Sequence, residues 1–227
     1  MKSVFRTAAM AVVTAGLLAC GGGDGDGGQS TPKGPTFNAD AAFANALGGS
    51  AVLSGLKATD PAGVRYVASL AYTSLASGMF SGTPARLSLQ TTSIGRAGDV
   101  PFTDALTVYY DAAPSRLLAT VTTTGKTTVF TQGTGLPTAA VVGQSGQFAA
   151  GTTYATPALG TPIGTEVLTW SIEPDGPMTA LACLSSETRI SISVSIEKDC
   201  FRIDGAGNIS GGTVSINKSG LVLHFVQ

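Results

Sequence analysis

The chain has 227 residues, with 13 Lys or Arg against 14 Asp or Glu, which gives a formal net charge of −1 at pH 7. Charged residues make up only 12% of the sequence and form no basic run or stripe, which argues against a nucleic-acid partner. Hydrophobic residues make up 43%. A chain of this length and composition can bury one sizeable core.

The first nineteen residues differ in composition from the rest of the chain. Lys2 and Arg6 provide a short positive start, and an apolar run then extends over residues 8–18. A helix needs about 20 apolar residues to cross a bilayer, so this run is too short for a stable span. A charged start, a short apolar middle and small residues at its end are typical of an export signal. Residues 1–19 are therefore predicted to be a signal peptide.

Residues 17–21, Leu-Leu-Ala-Cys-Gly, resemble the lipobox of bacterial lipoproteins. The resemblance covers only the first twenty or so residues. It implies that Cys20 receives a diacylglyceryl group, that the signal is cut before Cys20, and that the new amine is acylated, commonly with palmitate. Gly21 occupies the position where Asp often signals inner-membrane retention, so the resemblance implies an outer-membrane anchor. The alternative is an ordinary signal peptide in which Cys20 has no special role.

Residues 20–36 are predicted to form a disordered, Gly-rich tether behind the anchor. This stretch has no apolar side chain large enough to bury, so it cannot offset the entropy lost on ordering. A flexible Gly-rich chain of about 15 residues has an end-to-end distance of roughly 20 Å. The remainder, residues 37–227, is predicted to be a single domain.

The predicted elements of that domain begin with one short helix and continue as strands. Residues 38–47 are Ala-rich with Asn38 as the N-cap, which favours a lead-in helix that ends at Gly48 and Gly49. Alternating polar and apolar residues then predict strands at 51–57, 64–73, 86–92, 106–110, 116–124 and 126–132. Residues 139–162, rich in Gly, Thr, Ala and Pro, are interpreted as a surface excursion or weak edge strands.

The C-terminal part shows the clearest strand patterns. Strands are predicted around 168–172, 179–184, 189–196, 200–204, 208–216 and 221–226, separated by turns rich in Gly, Pro and Asn. The total is about ten to twelve strands in one all-β domain, an antiparallel sandwich or barrel. Both architectures use the same alternation, so the sequence does not distinguish them.

Two cysteines remain once Cys20 carries lipid. In an oxidising envelope Cys183 and Cys200 are expected to form a disulfide, with two buried free thiols as the alternative. The predicted strands create a difficulty, because a simple meander would place these cysteines at opposite ends of a strand about 25 Å long, against a disulfide Cα separation of roughly 4.4–6.8 Å. Two distant cysteines and one histidine are too few for a metal site.

The sequence offers little for catalysis, so no catalytic, cofactor or metal residue is predicted. His224, the only histidine, alternates with Val222 and Val226 in the final predicted strand, where a packed or surface role is expected. Two carboxylate pairs have candidate spacing for a glycan hydrolase, but both are interpreted as solvated residues at strand ends. These pairs are Glu173 with Asp175 and Glu197 with Asp199.

The aromatic residues give a weaker indication of binding. Tyr109 and Tyr110 are adjacent, so in a strand one of them must face away from the core. Trp170 alternates with Leu168 and Ile172 and is interpreted as a core residue rather than a binding platform.

The leading hypothesis is a non-enzymatic, membrane-anchored envelope lipoprotein whose β domain binds a partner or contributes to a surface structure. One alternative is a periplasmic carrier that holds an apolar ligand inside a barrel. Another is a carboxylate-dependent hydrolase of envelope glycans. The carrier requires an internal cavity, and the hydrolase requires two carboxylates that face the same site.

Overall fold

The computed structural model describes residues 34–111, 116–131, 135–218 and 220–227. The predicted signal peptide, Cys20 and all but the last three residues of the predicted tether lie outside these ranges. Among the described residues, none of the helices is both long enough and apolar enough to span a bilayer.

The folded domain is a closed barrel of twelve antiparallel strands with a short helix near its N-terminus. This confirms the all-β prediction at the upper end of the expected strand number, and it selects the barrel over the sandwich. Each strand pairs with its neighbours in the sequence, and the first pairs with the last through Lys57 and Val226. The strands are β1 (Val52–Thr59), β2 (Arg65–Phe80), β3 (Thr83–Arg96), β4 (Phe102–Tyr110), β5 (Leu117–Thr122), β6 (Thr127–Thr131), β7 (Ser145–Tyr154), β8 (Pro162–Pro174), β9 (Ala180–Ile190), β10 (Ser193–Ile203), β11 (Ile209–Lys218) and β12 (Leu221–Val226).

The helix α1 (Ala39–Asn45) closes one end of the barrel. As predicted, Asn38 caps it, with its side-chain oxygen accepting a 2.9 Å hydrogen bond from the backbone N–H of Ala41. A π-helical turn, Ala46–Ser50, follows and contains Gly49 at a φ of 85°, a conformation that favours glycine. The Asn45 amide donates to the carbonyl oxygen of Gly207 at 3.1 Å, which ties the helix to the β10–β11 turn.

The core under α1 is aromatic. The ring of Phe43 lies 6.5 Å from that of Phe148 and 6.1 Å from that of Phe201, and Tyr72 adds an edge contact to Phe201 at 6.0 Å. These rings come from the helix and from three different strands. Their packing fills the helix end of the barrel, whereas the opposite end carries the hairpin turns that join β1 to β2, β3 to β4 and the later odd–even pairs.

Two predicted elements were wrong. The predicted strand over residues 189–196 is interrupted, because β9 ends at Ile190 and a tight turn precedes β10. Ser191 adopts a φ of 54° in that turn, and Ile192 is 98% exposed. Residues 139–162, interpreted as a surface excursion or weak edge strands, contain a strand, β7, but it is a wall strand that pairs on both sides with β6 and β8. Closure of the barrel gives this weakly patterned segment two partners and leaves it no free edge.

Candidate functional site

The barrel encloses a cavity of about 1020 Å³. Side chains in a barrel wall alternate between the inside and the outside, and the cavity is lined by inward-facing positions of many strands together with α1. Pockets that bind small molecules span about 300–1,000 Å³, so this volume suits a ligand of substantial size. We refer to this space as the lumen.

The helix end of the lumen is apolar and closed. Phe43 and Leu47 line it from the helical segment, and Val108, Phe148 and Leu168 line it from the strands; all five side chains are buried. The Tyr110 hydroxyl donates a 3.3 Å hydrogen bond to the carbonyl oxygen of Leu47, which fixes the helical segment against the wall. We call this surface the floor of the lumen.

The opposite end of the lumen is open. Phe102 and Leu221 line the cavity and are nevertheless 74% and 42% exposed, so the space reaches solvent between them. Both residues are next to turns that join neighbouring strands. A ligand can therefore enter without unfolding the barrel, and we call this end the mouth.

Six charged side chains line the lumen among the residues that the structure describes. Four are acidic and two are basic, which gives a balance of −2 when all are ionised. Both lysines are near the mouth, since Lys218 is exposed next to the β11–β12 turn and Lys126 follows the β5–β6 turn. The full set is Asp104, Glu166, Glu197, Asp199, Lys126 and Lys218.

Asp199 is the most deeply buried of these groups, with 7% of its surface exposed. Its Oδ2 accepts long hydrogen bonds from the Tyr72 hydroxyl at 3.4 Å and from Gln90 Nε2 at 3.3 Å. Its Oδ1 is inaccessible and has no hydrogen-bond partner among the described residues. Burial and the nearby carboxylate of Glu197 raise the pKa of Asp199 well above its usual range, although the Tyr72 hydrogen bond acts in the opposite direction.

Glu197 lies on the same strand, one inward-facing position closer to the mouth. Its Oε1 is also inaccessible and has no hydrogen-bond partner among the described residues. Burial, with the carboxylates of Glu166 and Asp104, raises the pKa of Glu197 to about 6, and only Lys218 opposes the shift. No ion pair within 4.0 Å joins either lumen lysine to these carboxylates among the described residues.

The second carboxylate pair faces the other side of the wall. Glu173 forms a 2.5 Å ion pair with Lys198. Asp175, in the β8–β9 turn, forms a 2.9 Å ion pair with Arg202. Burial acts against the charged form of Glu173, but bonds from Lys198 and Ser171 outweigh it and lower the pKa of that carboxyl. The Arg202 bond similarly lowers the pKa of Asp175. The sequence predicted that Glu173 and Asp175 lie at a strand end and have no catalytic role, and these contacts agree with that interpretation.

The interpretation of Glu197 and Asp199 was wrong. They lie in the middle of β10 and face the lumen, and not at a strand end next to a turn as predicted from the sequence. The β9–β10 turn lies several residues before Glu197, so both carboxylates belong to the strand that follows it and form part of the barrel wall. The barrel wall also separates Glu173 from Glu197, so these two carboxylates do not share one site.

The predicted disulfide between Cys183 and Cys200 is present. The two cysteines are direct cross-strand partners in the β9–β10 hairpin, so the difficulty posed by the predicted meander disappears. Glu173 lies nearby, with its oxygen and both sulfurs within 4.8 Å of one another. Because the sulfurs are bonded to each other, this group offers no thiolate to a metal.

The remaining sequence candidates lie outside the lumen or within the core. His224 is exposed, and its Nδ1 forms a 2.7 Å hydrogen bond with Ser215 Oγ on the outer face of the barrel. Tyr110 points inward, and Tyr109 points outward against Phe80 with ring centroids 5.2 Å apart. Trp170 is partly buried and packs against the core, as predicted.

Most lumen residues were not identified from the sequence. Tyr72 and Gln90 on neighbouring strands meet Asp199 from positions 127 and 109 residues away. No local motif links such residues, because the barrel closure brings them together. One usable signal was an acidic residue, such as Glu166 or Glu197, inside an otherwise alternating strand.

Comparison with known proteins identified no relative: no family model, no curated protein and no solved structure matches this chain significantly.

Proposed function

We propose that this protein is a cell-envelope lipoprotein that carries a small amphiphilic molecule in the lumen of its barrel. The observation that carries the proposal is the cavity of about 1020 Å³, which α1 closes at one end and which reaches solvent at the other. A core filled by side chains would have argued against a carrier. Binding is the proposed role, and no catalytic step is part of it.

The lining supports an amphiphile over a purely apolar ligand. The floor offers aromatic and aliphatic side chains, including Phe43 and Phe148, which favour an apolar body through burial of its surface. The lumen wall between the floor and the mouth carries hydroxyl groups and the six charged side chains. A molecule with a polar end can place that end among these groups and its apolar end on the floor.

The lipobox resemblance supports the location of this carrier. An acylated Cys20 would hold the protein on a membrane, and the Gly-rich segment behind it would give the barrel freedom to accept ligand near the lipid surface. The same resemblance supports an outer-membrane anchor. The carrier therefore replaces the surface-partner hypothesis as our preferred function, since the partner hypothesis does not require a hollow barrel.

The first test is to measure binding of N-phenyl-1-naphthylamine, a neutral probe that fluoresces in apolar surroundings, to the purified protein. We expect saturable binding to one site. We also expect native mass spectrometry of the protein purified without denaturant to show a stoichiometric small molecule. Absence of both signals from a protein whose circular dichroism shows a folded barrel would contradict the carrier.

A matched pair of variants locates the binding site. Ser195 lines the lumen, and its neighbour Val194 faces outward and is 43% exposed. Ser195→Trp narrows the lumen near its mouth and is expected to weaken probe binding at least tenfold, whereas Val194→Trp is expected to leave it unchanged. Equal binding by the two variants would place the probe on the outer surface and contradict a lumen site.

A further inference from the structure

We infer that the polar end of the ligand is a protonated amine, held by the carboxylates of Asp199 and Glu197. This inference rests on the proposed function and names the chemical class of the ligand. It follows from three observations on the lumen: the distribution of charge with depth, the unpartnered carboxylate oxygens, and the neutral groups that surround them.

The charge of the lumen changes from the mouth toward the floor. On β11, Lys218 is opposite Ser195, Ile216 is opposite Glu197, and Val214 is opposite Asp199. The two acidic side chains are thus deeper than the lysine, and their inward-facing neighbours on β11 are apolar. Lys126 is also at the mouth end. The deeper lumen therefore carries carboxyl groups and no lysine or arginine among the described residues that line it there.

The two carboxylates also have unused acceptor capacity. Asp199 Oδ1 and Glu197 Oε1 have no hydrogen-bond partner among the described residues, although both atoms are inaccessible. An unsatisfied buried acceptor costs about 1–3 kcal/mol, more when it is charged. Both side chains line the lumen, so rotation of a carboxyl group would bring its free oxygen to a ligand that donates to it, and that hydrogen bond would remove the cost. An ammonium group offers up to three donors and a compensating positive charge.

The surrounding groups favour a cation over an anion. A carboxylate or phosphate head at this depth would face Asp199 and Glu197, whereas Lys218, whose charge acts on Glu197, lies nearer the mouth. The neutral groups near Asp199 are Tyr72 and Gln90, which already donate to it. Like charges in a low-dielectric site repel strongly, so an anionic ligand is disfavoured.

Isothermal titration calorimetry with three ligands that share an eight-carbon alkyl chain tests this inference. The ligands are octylammonium, octanol and octanoate. We expect octylammonium to bind the full-length protein at least tenfold more tightly than octanol at pH 7.5, with octanoate weakest. In the double variant Glu197→Gln/Asp199→Asn, the preference for octylammonium over octanol is expected to fall below twofold. Glu187→Gln, which removes an outward-facing carboxylate from β9, is expected to retain it.

Proton release gives a readout that does not depend on a variant folding correctly. Because the buried carboxylates hold protons more tightly than usual, an arriving ammonium group must displace part of them. Titration of the wild-type protein at pH 6 in buffers of different ionisation enthalpy is expected to show net proton release with octylammonium. Octanol is expected to release none. Equal proton release with both ligands would overturn the inference.

The outcomes separate this inference from the proposed function. Equal or tighter binding of octanol or octanoate overturns the amine assignment and leaves the carrier standing. Saturable binding of the naphthylamine probe with no binding of any octyl ligand also overturns it. If neither the probe nor any octyl ligand binds the folded protein, both the carrier and the amine assignment fail.

Discussion

Asp199 and Glu197 are the residues whose environment most requires an explanation. A buried charge without a partner costs free energy, and natural cores pair such groups or replace them with apolar side chains. Here two carboxylates lie together with unpartnered oxygens, while the outward-facing Glu173 has a lysine in contact. Titratable groups with strongly shifted pKa values concentrate at functional sites. The contrast within one protein supports a binding role for the lumen pair.

The first prediction concerns pH. The ordinary pKa of Glu197, near 4.5, is raised to about 6 in the fold, so the folded protein binds this proton more tightly than the unfolded chain. Its contribution to stability is therefore fully present below pH 4.5 and lost as the pH rises through 6. The loss from this side chain is about 2 kcal/mol. Urea denaturation at pH 4.5, 5.5 and 7 gives the free energy of unfolding of each protein. The loss is measured as the wild-type value minus the Glu197→Gln value at each pH.

The subtraction is needed because other groups act in the opposite sense. Glu173 and Asp175 have lowered pKa values, so their contributions are present above their unfolded pKa and are lost as the pH falls. Asp199 acts in the same direction and remains in both proteins, but the Glu197 carboxylate helps to raise its pKa, so the difference reports the two carboxyl groups together. A difference that stays constant across this range would show that Glu197 titrates normally, and would contradict its buried environment.

The spacing of Glu197 and Asp199 in the sequence identified them as a candidate pair but did not indicate that they face a lumen. The predicted strands left both residues next to a turn, outside any strand. Their position along β10 depended on the β9–β10 turn, which lacks Gly, Pro and Asn and therefore gave no signal. Tyr72 and Gln90 could not be identified, since their contact with Asp199 depends on barrel closure.

At the level of elements, the existence of strands was more predictable than their orientation. Alternation correctly indicated most strands, apart from β7 and the break between β9 and β10, and Asn38 correctly marked the helix start. The alternation in β10 did not reveal which face was inside. Ser193 and Ser195 line the lumen, whereas Val194 is exposed on the outside. A solid core would have buried the apolar face, and a polar lumen reverses that expectation.

The second prediction concerns the β9–β10 hairpin. Cys183 and Cys200 are 17 positions apart, and the chain-entropy model assigns about 3 kcal/mol to a cross-link that closes a loop of this size. The double variant Cys183→Ala/Cys200→Ala is expected to lose most of that amount. Urea denaturation of the oxidised wild type against the double variant measures the change.

The reduced wild-type protein is the control for this experiment. It retains both cysteine side chains, so its stability separates loss of the cross-link from loss of packing at these buried positions. Reduced wild type and double variant are expected to agree within about 1 kcal/mol. If reduction leaves the unfolding midpoint unchanged, the cross-link contributes nothing and the prediction is contradicted.

At the level of the whole molecule, the number of strands and their closure determine the cavity. An eight-stranded barrel has an interior about wide enough for its own side chains or one small ligand, and the diameter grows with strand number. Twelve strands leave more space than the inward side chains and α1 fill. The sequence indicated about this many strands but not their closure, which depends on the single pairing of β1 with β12.

The last prediction concerns the anchor, which lies outside the described residues. If residues 17–21 act as a lipobox, Cys20→Ser removes the acylation site and releases the barrel from the membrane, because the other predicted features of residues 20–36 give no means of membrane attachment. Membrane fractionation after expression in a bacterial host is expected to move the protein from the membrane pellet to the soluble envelope fraction. Cys183→Ala/Cys200→Ala is the matched control, since it removes cysteines without touching Cys20 and is expected to remain in the pellet. A Cys20→Ser variant that stays membrane-bound, although its mass shows that residues 1–19 have been removed, would contradict the lipid anchor and leave the lumen proposal to be judged on ligand binding alone.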